Sequence, residues 1–380
     1  MNTETQTTST PASHVTTALA AEAVSLLQRL VMTPSISRDE TAAADLLADY
    51  IRQCGMPAER IGNNILVMED IDEQKPTILL NAHIDTVKPV ATWTRPPFTP
   101  TLEGDRLYGL GTNDCGGGLV SLLMTYRALR GQWTSESGMG TPVRQGSPLP
   151  YNLVYLASCE EEVSGQNGFS LALPHLPHID VAIVGEPTGM QPAIAEKGLM
   201  VVDGIARGRS GHAARDEGVN AIYEALDDLV WLRDYRFRKV SPLLGPTKMT
   251  VTVVNSGTQH NVVPDECRFV IDVRTNEYYQ NEYLFNFLQK HMKKCELKAR
   301  SFRLSSSHID EDHPLVQRLV AMGRCPFGSP TLSDQALMPF PSFKLGPGDS
   351  ARSHSADEFI CLSEIEQAIG MYVELLNIEH

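Results

Sequence analysis

Residues 77–85 read Thr77-Ile78-Leu79-Leu80-Asn81-Ala82-His83-Ile84-Asp85, a short, nearly continuous apolar run that ends on an imidazole and a carboxylate. A run of this kind suits a parallel strand buried on both faces. Two further runs, at 153–156 and 181–184, lead in the same way into Glu160-Glu161-Glu162 and into Gly185-Glu186-Pro187-Thr188. A helical stretch, 118–129, falls between the first two. Strands alternating with helices predict an α/β fold with a mostly parallel central sheet, and such sheets hold their ligand site beyond the strand ends. His83, the Glu160–Glu162 run and Glu186 therefore converge on one edge of the sheet.

Working outward, Leu19, Ala23, Leu26, Leu27, Leu30 and Val31 recur at helical spacing and Pro34 stops the run. Ser37 with Glu40 reads as a capping box for a second helix, whose apolar stripe is Ala43, Leu46, Leu47, Tyr50 and Ile51 and whose left-handed stop is Gly55. Residues 131–150 are dense in Gly, Ser and Pro and are expected to form a surface excursion. From about 191 the pattern changes to alternating or β-branched strands at 200–205, 249–254 and 268–273, with a helix near 221–232. Helical patterns at 313–322 and 364–376 then return the chain to its first domain. The expected organisation is a flexible tail over 1–17, a catalytic domain over 18–190 and 305–380, and an inserted α+β lid or dimerisation domain over 191–304.

At 380 residues the chain exceeds the usual size of one core. Its formal charge of −14 leaves no basic stripe for a phosphate backbone, so small molecules are the expected partners and nucleic acid is not. The seven cysteines are odd in number and lack C-x-x-C spacing, which suits reduced thiols rather than disulfides or a cysteine-bound zinc. Residues 1–17 have neither the basic nor the apolar region of a secretory signal. No stretch approaches the roughly 20 apolar residues a membrane helix requires. The expectation is a cytoplasmic protein.

His83, Asp114, Glu162, Glu186 and His354 are the candidate metal ligands. Asp114 ends Gly109-Leu110-Gly111-Thr112-Asn113-Asp114, and His354 follows the Gly346-Pro347-Gly348 turn. Zn²⁺ accepts imidazole nitrogen and carboxylate oxygen, and an ion pair needs one bridging carboxylate plus two further ligands each. His83 with Glu186 would hold one ion, Glu162 with His354 the other, and Asp114 would bridge; Co²⁺ is a possible substitute, since such ligand sets discriminate weakly. Asp85, two residues after His83 in an extended segment, is expected to accept the second imidazole N–H through its carboxylate. Glu161, with its side chain directed away from that of Glu162 in extended geometry, is the candidate general base. Taken singly, an H-x-D is usually a structural pair, a run of glutamates a solvated face and a histidine after a turn a surface group; their joint occurrence in a compatible order selects the metal reading.

These residues resemble the dinuclear zinc aminoacylase and carboxypeptidase family, which includes acetylornithine deacetylases and succinyl-diaminopimelate desuccinylases. The resemblance spans about 18–376. It extends to Trp93, Pro97-Phe98-Thr99-Pro100, Leu107-Tyr108-Gly109, Gly211-His212-Ala213-Ala214, Asn261-Val262-Val263-Pro264-Asp265 and Asp272-Val273-Arg274. It implies an insert that pairs two subunits, with His212 polarising the scissile carbonyl in a partner's site. Arg274 then grips a substrate carboxylate, Asn261 assists, and Gly348 lies with the substrate-contacting positions. It also implies a cis Asp114–Cys115 peptide. Two departures stand out: Gly116 replaces a common lysine, and Glu160 replaces a common aspartate.

The segments NAHIDTVKPV (81–90), SCEEEVSG (158–165), AEKGL (195–199) and SHSADE (353–358) look most like N-acylornithine deacetylases of arginine biosynthesis. The implied reaction releases acetate from N-acetylornithine. A succinyl group is the close alternative and would require another cation, Lys197 or Arg352. N-acylcitrulline and succinyl-diaminopimelate are further alternatives, and a di- or tripeptidase shares the same carbonyl chemistry. From another class, an inactive metal-containing binding protein would not need Glu161, and a nicotinamide oxidoreductase lacks its glycine fingerprint.

Overall fold

The computed structural model describes residues 11–131, 149–215 and 217–378. Residues 1–10 of the expected tail and nearly all of the expected excursion at 131–150 lie outside the described residues. The chain divides into two compact units. The first comprises residues 1–194, 309–326 and 339–380; the second comprises 195–308 and 327–338.

In the first unit, neighbouring strands run in the order Glu59–Ile61, Asn64–Met68, Asn152–Ser158, Thr77–His83, Val181–Val184 and Ser342–Lys344. The four strands from Asn152–Ser158 to Ser342–Lys344 are mutually parallel. Every residue of Thr77–His83, Asn152–Ser158 and Val181–Val184 is buried, which is why these strands are apolar without alternation. Helix Gly117–Leu129 packs on the first two of these strands and is itself buried throughout, covered by helices Pro11–Val31 and Leu362–Leu376. A Cβ at Gly118 would lie 1.7 Å from the Gly185 carbonyl oxygen, so glycine alone lets this helix start meet the strand end that carries Glu186.

Two local expectations fail here. The first helix begins at Pro11, so residues 11–17 are helical and not a tail, and the Thr17 hydroxyl donates to Glu366 at 2.7 Å. The Ser37 capping box does not form: helix Thr41–Gln53 starts after Glu40 without a side-chain cap, and Ser37 donates instead to Asp85. A tertiary acceptor has outcompeted the local one. Gly55 does take the left-handed stop, at φ 78°.

The second unit contains a four-stranded antiparallel sheet in the order Lys248–Ser256, Glu266–Thr275, Gly198–Arg207, Cys295–Ala299. Helices Ala221–Asp234 and Asn281–His291 contribute with it to a core that includes Met200, Val202, Ala225, Phe269, Ile271, Leu284 and Leu288. Strand Gly198–Arg207 alternates between buried and part-buried positions, the pattern of a sheet packed on one face. Segment 327–338 clusters with this unit and not with the first. Its Ser333 donates through both N–H and hydroxyl to the fully buried Glu196 carboxylate, a tie that sequence spacing cannot reveal.

Candidate metal centre

The parallel strands of the first unit end on one cluster. His83 closes Thr77–His83 and is 2% exposed. Its Nδ1 lies 2.8 Å from the backbone carbonyl of Asp85 and 3.6 Å from the Asp85 carboxylate, so the carbonyl, and not the expected carboxylate, takes the ring N–H. The carboxylate is occupied elsewhere. It accepts the Ser37 hydroxyl at 2.7 Å and the N–H groups of Glu161 and Glu162 at 3.0 and 3.2 Å. Asp85 thus ties the imidazole to the glutamate turn through two different groups.

With Nδ1 so engaged, His83 Nε2 faces Asp114 at 3.3 Å, Glu186 at 3.6 Å and Glu161 at 3.9 Å. The other Asp114 oxygen lies 3.6 Å from Nε2 of His354, which in turn is 2.9 Å from Glu162. One carboxylate therefore presents an oxygen to each of two imidazole–carboxylate pairs. The glutamate run is not extended as expected: Glu160 adopts a left-handed φ of 54°, and Glu161–Val163 form one tight 3₁₀ turn. The carboxylates of Glu161 and Glu162 diverge toward His83 and His354, while Glu160 turns into the interior and holds Asn167.

Charge shapes this cluster. Burial and the neighbouring Asp114 carboxylate push Glu186 up to about 8. Burial acts on Asp114 in the same direction, but the His83 hydrogen bond and charge outweigh it and hold the carboxyl below its usual range. The Glu162 hydrogen bond raises His354 to about 9. Carboxylates gathered at low exposure call for compensating cations, and this nitrogen and oxygen donor set fits Zn²⁺ or Co²⁺. His83, Asp114 and Glu162 together offer donor atoms close enough to share an ion, as do His83, Cys115 and Glu186. Cys115 escaped the sequence reading. Burial pushes its thiol up to about 12, and it packs behind His83, accepting that residue's backbone N–H at 3.2 Å.

The loop carrying Asp114 is held from both sides. The Asp114–Cys115 peptide is cis, as the resemblance implies. Asn113, absent from the expected site, donates to the Asp349 carbonyl at 3.1 Å and accepts its N–H at 3.0 Å. Gly348 sits at φ 87°, where a Cβ would lie 2.3 Å from the Asn113 side chain, so packing alone already requires glycine there.

The expected substrate residues His212, Asn261 and Arg274 belong to the second unit. The segments of His212 and Asn261 adjoin: Ala213 donates to the Asn261 carbonyl at 3.0 Å, and both side chains are exposed. His212 Nδ1 accepts the Ala214 N–H at 3.1 Å, which leaves its proton on Nε2. Arg274 forks onto Asp272 at 2.9 and 3.1 Å through Nε and Nη2. Lys248 stands directly across from Arg274 on the adjacent strand, and Lys197 donates to the Pro246 carbonyl at 3.3 Å. Partial burial, then the charges of Lys248 and Arg274, lower the Lys197 ammonium. Arg352 is committed elsewhere, to Glu364 at 2.7 and 3.0 Å and over the Phe359 ring.

Comparison with known proteins gives a concordant result. Residues 79–378 match the model of peptidase family M20/M25/M40. An acetylornithine deacetylase from Proteus mirabilis is 29% identical over 387 residues, covering 93% of this chain and 96% of that protein. A Staphylococcus aureus tripeptidase superposes with a TM-score of 0.72 at 17% identity, over 94% of this chain and 97% of that one. A dinuclear metal-binding M20 peptidase from Bacillus subtilis superposes with a TM-score of 0.69 at 17% identity, over 95% and 98%.

Proposed function

The chain belongs to peptidase family M20/M25/M40 and is a metal-dependent hydrolase of amide bonds, and from that premise we propose that it removes the acyl group from an N-acylated amino acid. The observation that carries the proposal is the division of the Asp114 carboxylate between the His83–Glu186 and His354–Glu162 pairs, with Glu161 beside the first. Those five residues would hold two divalent cations, zinc or cobalt. When bound, the ions supply Lewis acidity to the scissile carbonyl and acidity to water.

The protein's own groups do the rest. Glu161 takes the proton from the attacking water and returns it to the departing amine as the C–N bond breaks, giving a carboxylic acid and a free amino group. Asp85 keeps the base in register with His83, since one carboxylate fixes the Glu161–Glu162 turn while its own carbonyl fixes the ring. His212, with its proton on Nε2, is the donor for oxygen charge that develops in the transition state. Arg274 has its Nη1 edge to offer to the substrate α-carboxylate, with Asn261 assisting. An exposed apolar helix face, Ile222, Tyr223, Leu226 and Val230, and the edge strand with Val253 and Val254 exposed support a homodimer built through the second unit. All seven cysteines are thiols and not disulfide halves, which supports a reducing, cytoplasmic setting. Among the described residues no helix is long and apolar enough to cross a membrane.

N-acetylornithine, as a step of arginine biosynthesis, is the reading that the name of the Proteus mirabilis relative supports. A second reading, an acyl group with its own carboxylate such as succinyl, is favoured by the juxtaposition of Lys197, Lys248 and Arg274. Incubation with N-acetyl and N-succinyl derivatives of ornithine, citrulline, lysine and diaminopimelate, beside di- and tripeptides, separates these. Release of acetate or succinate is the expected result. Cleavage of peptides alone would replace the deacylase by a peptidase, and full activity after exhaustive chelation would end the metal-dependent mechanism.

A further inference from the structure

Glu358 is 2% exposed, and the reaction proposed above gives its side chain no role. One carboxylate oxygen accepts the N–H groups of Asn113 at 2.8 Å and Asp114 at 2.9 Å, and the other accepts Gly111 N–H at 3.1 Å. Its backbone carbonyl accepts Gly109 N–H at 3.0 Å. Strand pairing explains the placement: Phe359–Cys361 runs antiparallel to Arg106–Tyr108 with Phe359 opposite Tyr108, which sets Glu358 beside Gly109. Successive backbone N–H groups turned onto one anion form a concave nest. Here the anion is a side chain of the protein itself.

The tie is reciprocal. Asn113 reaches back onto the loop that carries His354, bonding both polar groups of the Asp349 backbone and the Ser353 hydroxyl at 3.3 Å. Loop 109–114 ends on Asp114, and loop 349–358 contains His354, so each loop holds the other. The remaining ligand candidates have different support. His83 is the last residue of a strand in the sheet ladder, and Glu186 follows one by two residues. His354 has no such ladder: it sits on a loop at φ 57° with its side chain 55% exposed.

We propose that Glu358 is a positioning residue that, together with Asn113, sets the spacing between Asp114 and His354, so that the ion assigned to Glu162 and His354 depends on it more than the ion assigned to His83 and Glu186. The inference rests on the two-ion reading of the site. An amide keeps one acceptor oxygen but turns the other into an N–H₂ donor that faces at least one of the three loop N–H groups, which splays the loop and alters the spacing of Asp114 and His354.

The test is calorimetric Zn²⁺ titration and metal analysis of the full chain as Glu358→Gln, beside the unmutated protein. The expected result is one ion bound within a few-fold of the parent affinity and a second weakened by about 10-fold or more. Excess Zn²⁺ should recover part of kcat, and Glu358→Asp, which keeps the anion, should recover part of the second affinity. Should Glu358→Gln not fold, Asn113→Ala breaks the clamp from the other side and is expected to show the same selective loss. Two ions bound at parent affinity, or both weakened equally alongside a lower Tm, would overturn the clamp. An unmutated protein that binds no divalent cation would overturn the two-ion reading as well, and the two failures are distinct.

Discussion

The two units hold their chemically important residues in opposite ways. In the first, His83, Asp114, Glu161 and Glu162 are mostly or wholly buried, with only the loop-borne His354 half exposed, and each is fixed by backbone hydrogen bonds or by an ionic neighbour. In the second, His212 and Asn261 are exposed and Arg274 is a third exposed, and the side chains of His212 and Arg274 hydrogen-bond residues two positions away. A buried cluster of carboxylates carries a folding cost that its hydrogen bonds and cations must offset, so its geometry is set before substrate arrives. An exposed histidine costs nothing to place and contributes only when something binds. Substitutions of the candidate metal ligands in the first unit should therefore couple activity to stability or to metal content, whereas those of Glu161 and of the second unit's residues should change activity alone.

The largest effect expected from this contrast is at Glu161. Glu161→Gln should lower kcat by roughly 10³-fold while the protein still binds two ions, because the base touches the site without being assigned to either cation. Retained turnover would move the base elsewhere. His212→Ala is the counterpart in the second unit: kcat should fall by about 10²-fold with Tm unchanged, and a drop in Tm would blur the distinction.

Proton counting sharpens the contrast next. Glu186 at about 8 and His354 at about 9 both lie above their ordinary values, so the cation-free folded state holds protons that the unfolded chain would release. The stability these protons confer is complete below about pH 4.5 for Glu186 and 6.5 for His354, and is lost as pH rises through about 8 and 9. Cations displace the same protons, so Zn²⁺ uptake at pH 7 should release protons and its affinity should climb with pH. Calorimetry in buffers of different ionisation enthalpy measures the release, which Glu186→Gln should reduce. The smallest effect is at Lys248: Lys248→Met should leave N-acetyl substrates within about twofold and lower kcat/KM for N-succinyl substrates several-fold. Equal loss on both would remove the case for a second substrate carboxylate.

What could be read beforehand follows from range. The sheet and the convergence of His83, Glu162 and Glu186 were legible because apolar runs buried on both faces end abruptly, and the residue after the run is placed by the strand itself. Asp114 and His354 were accessible only through the joint pattern and the family resemblance. Three features were not legible. Asp85 offers two acceptors, and spacing cannot say that the carbonyl takes the imidazole while the carboxylate takes Ser37 and the glutamate turn. Ser37 satisfies a local capping rule, yet its partner lies 48 positions away. Glu358 and Asn113 reveal themselves only when the pairing of Phe359–Cys361 with Arg106–Tyr108 is known.

The division of the first unit into residues 1–194, 309–326 and 339–380 carries a consequence for biosynthesis. His83, Asp114, Glu162 and Glu186 leave the ribosome early, but His354 and Glu358 follow only after the whole 195–308 segment has been made. Until His354 and Glu358 are translated the nascent chain holds a half-built, strongly acidic pocket, and the centre can close only after they emerge.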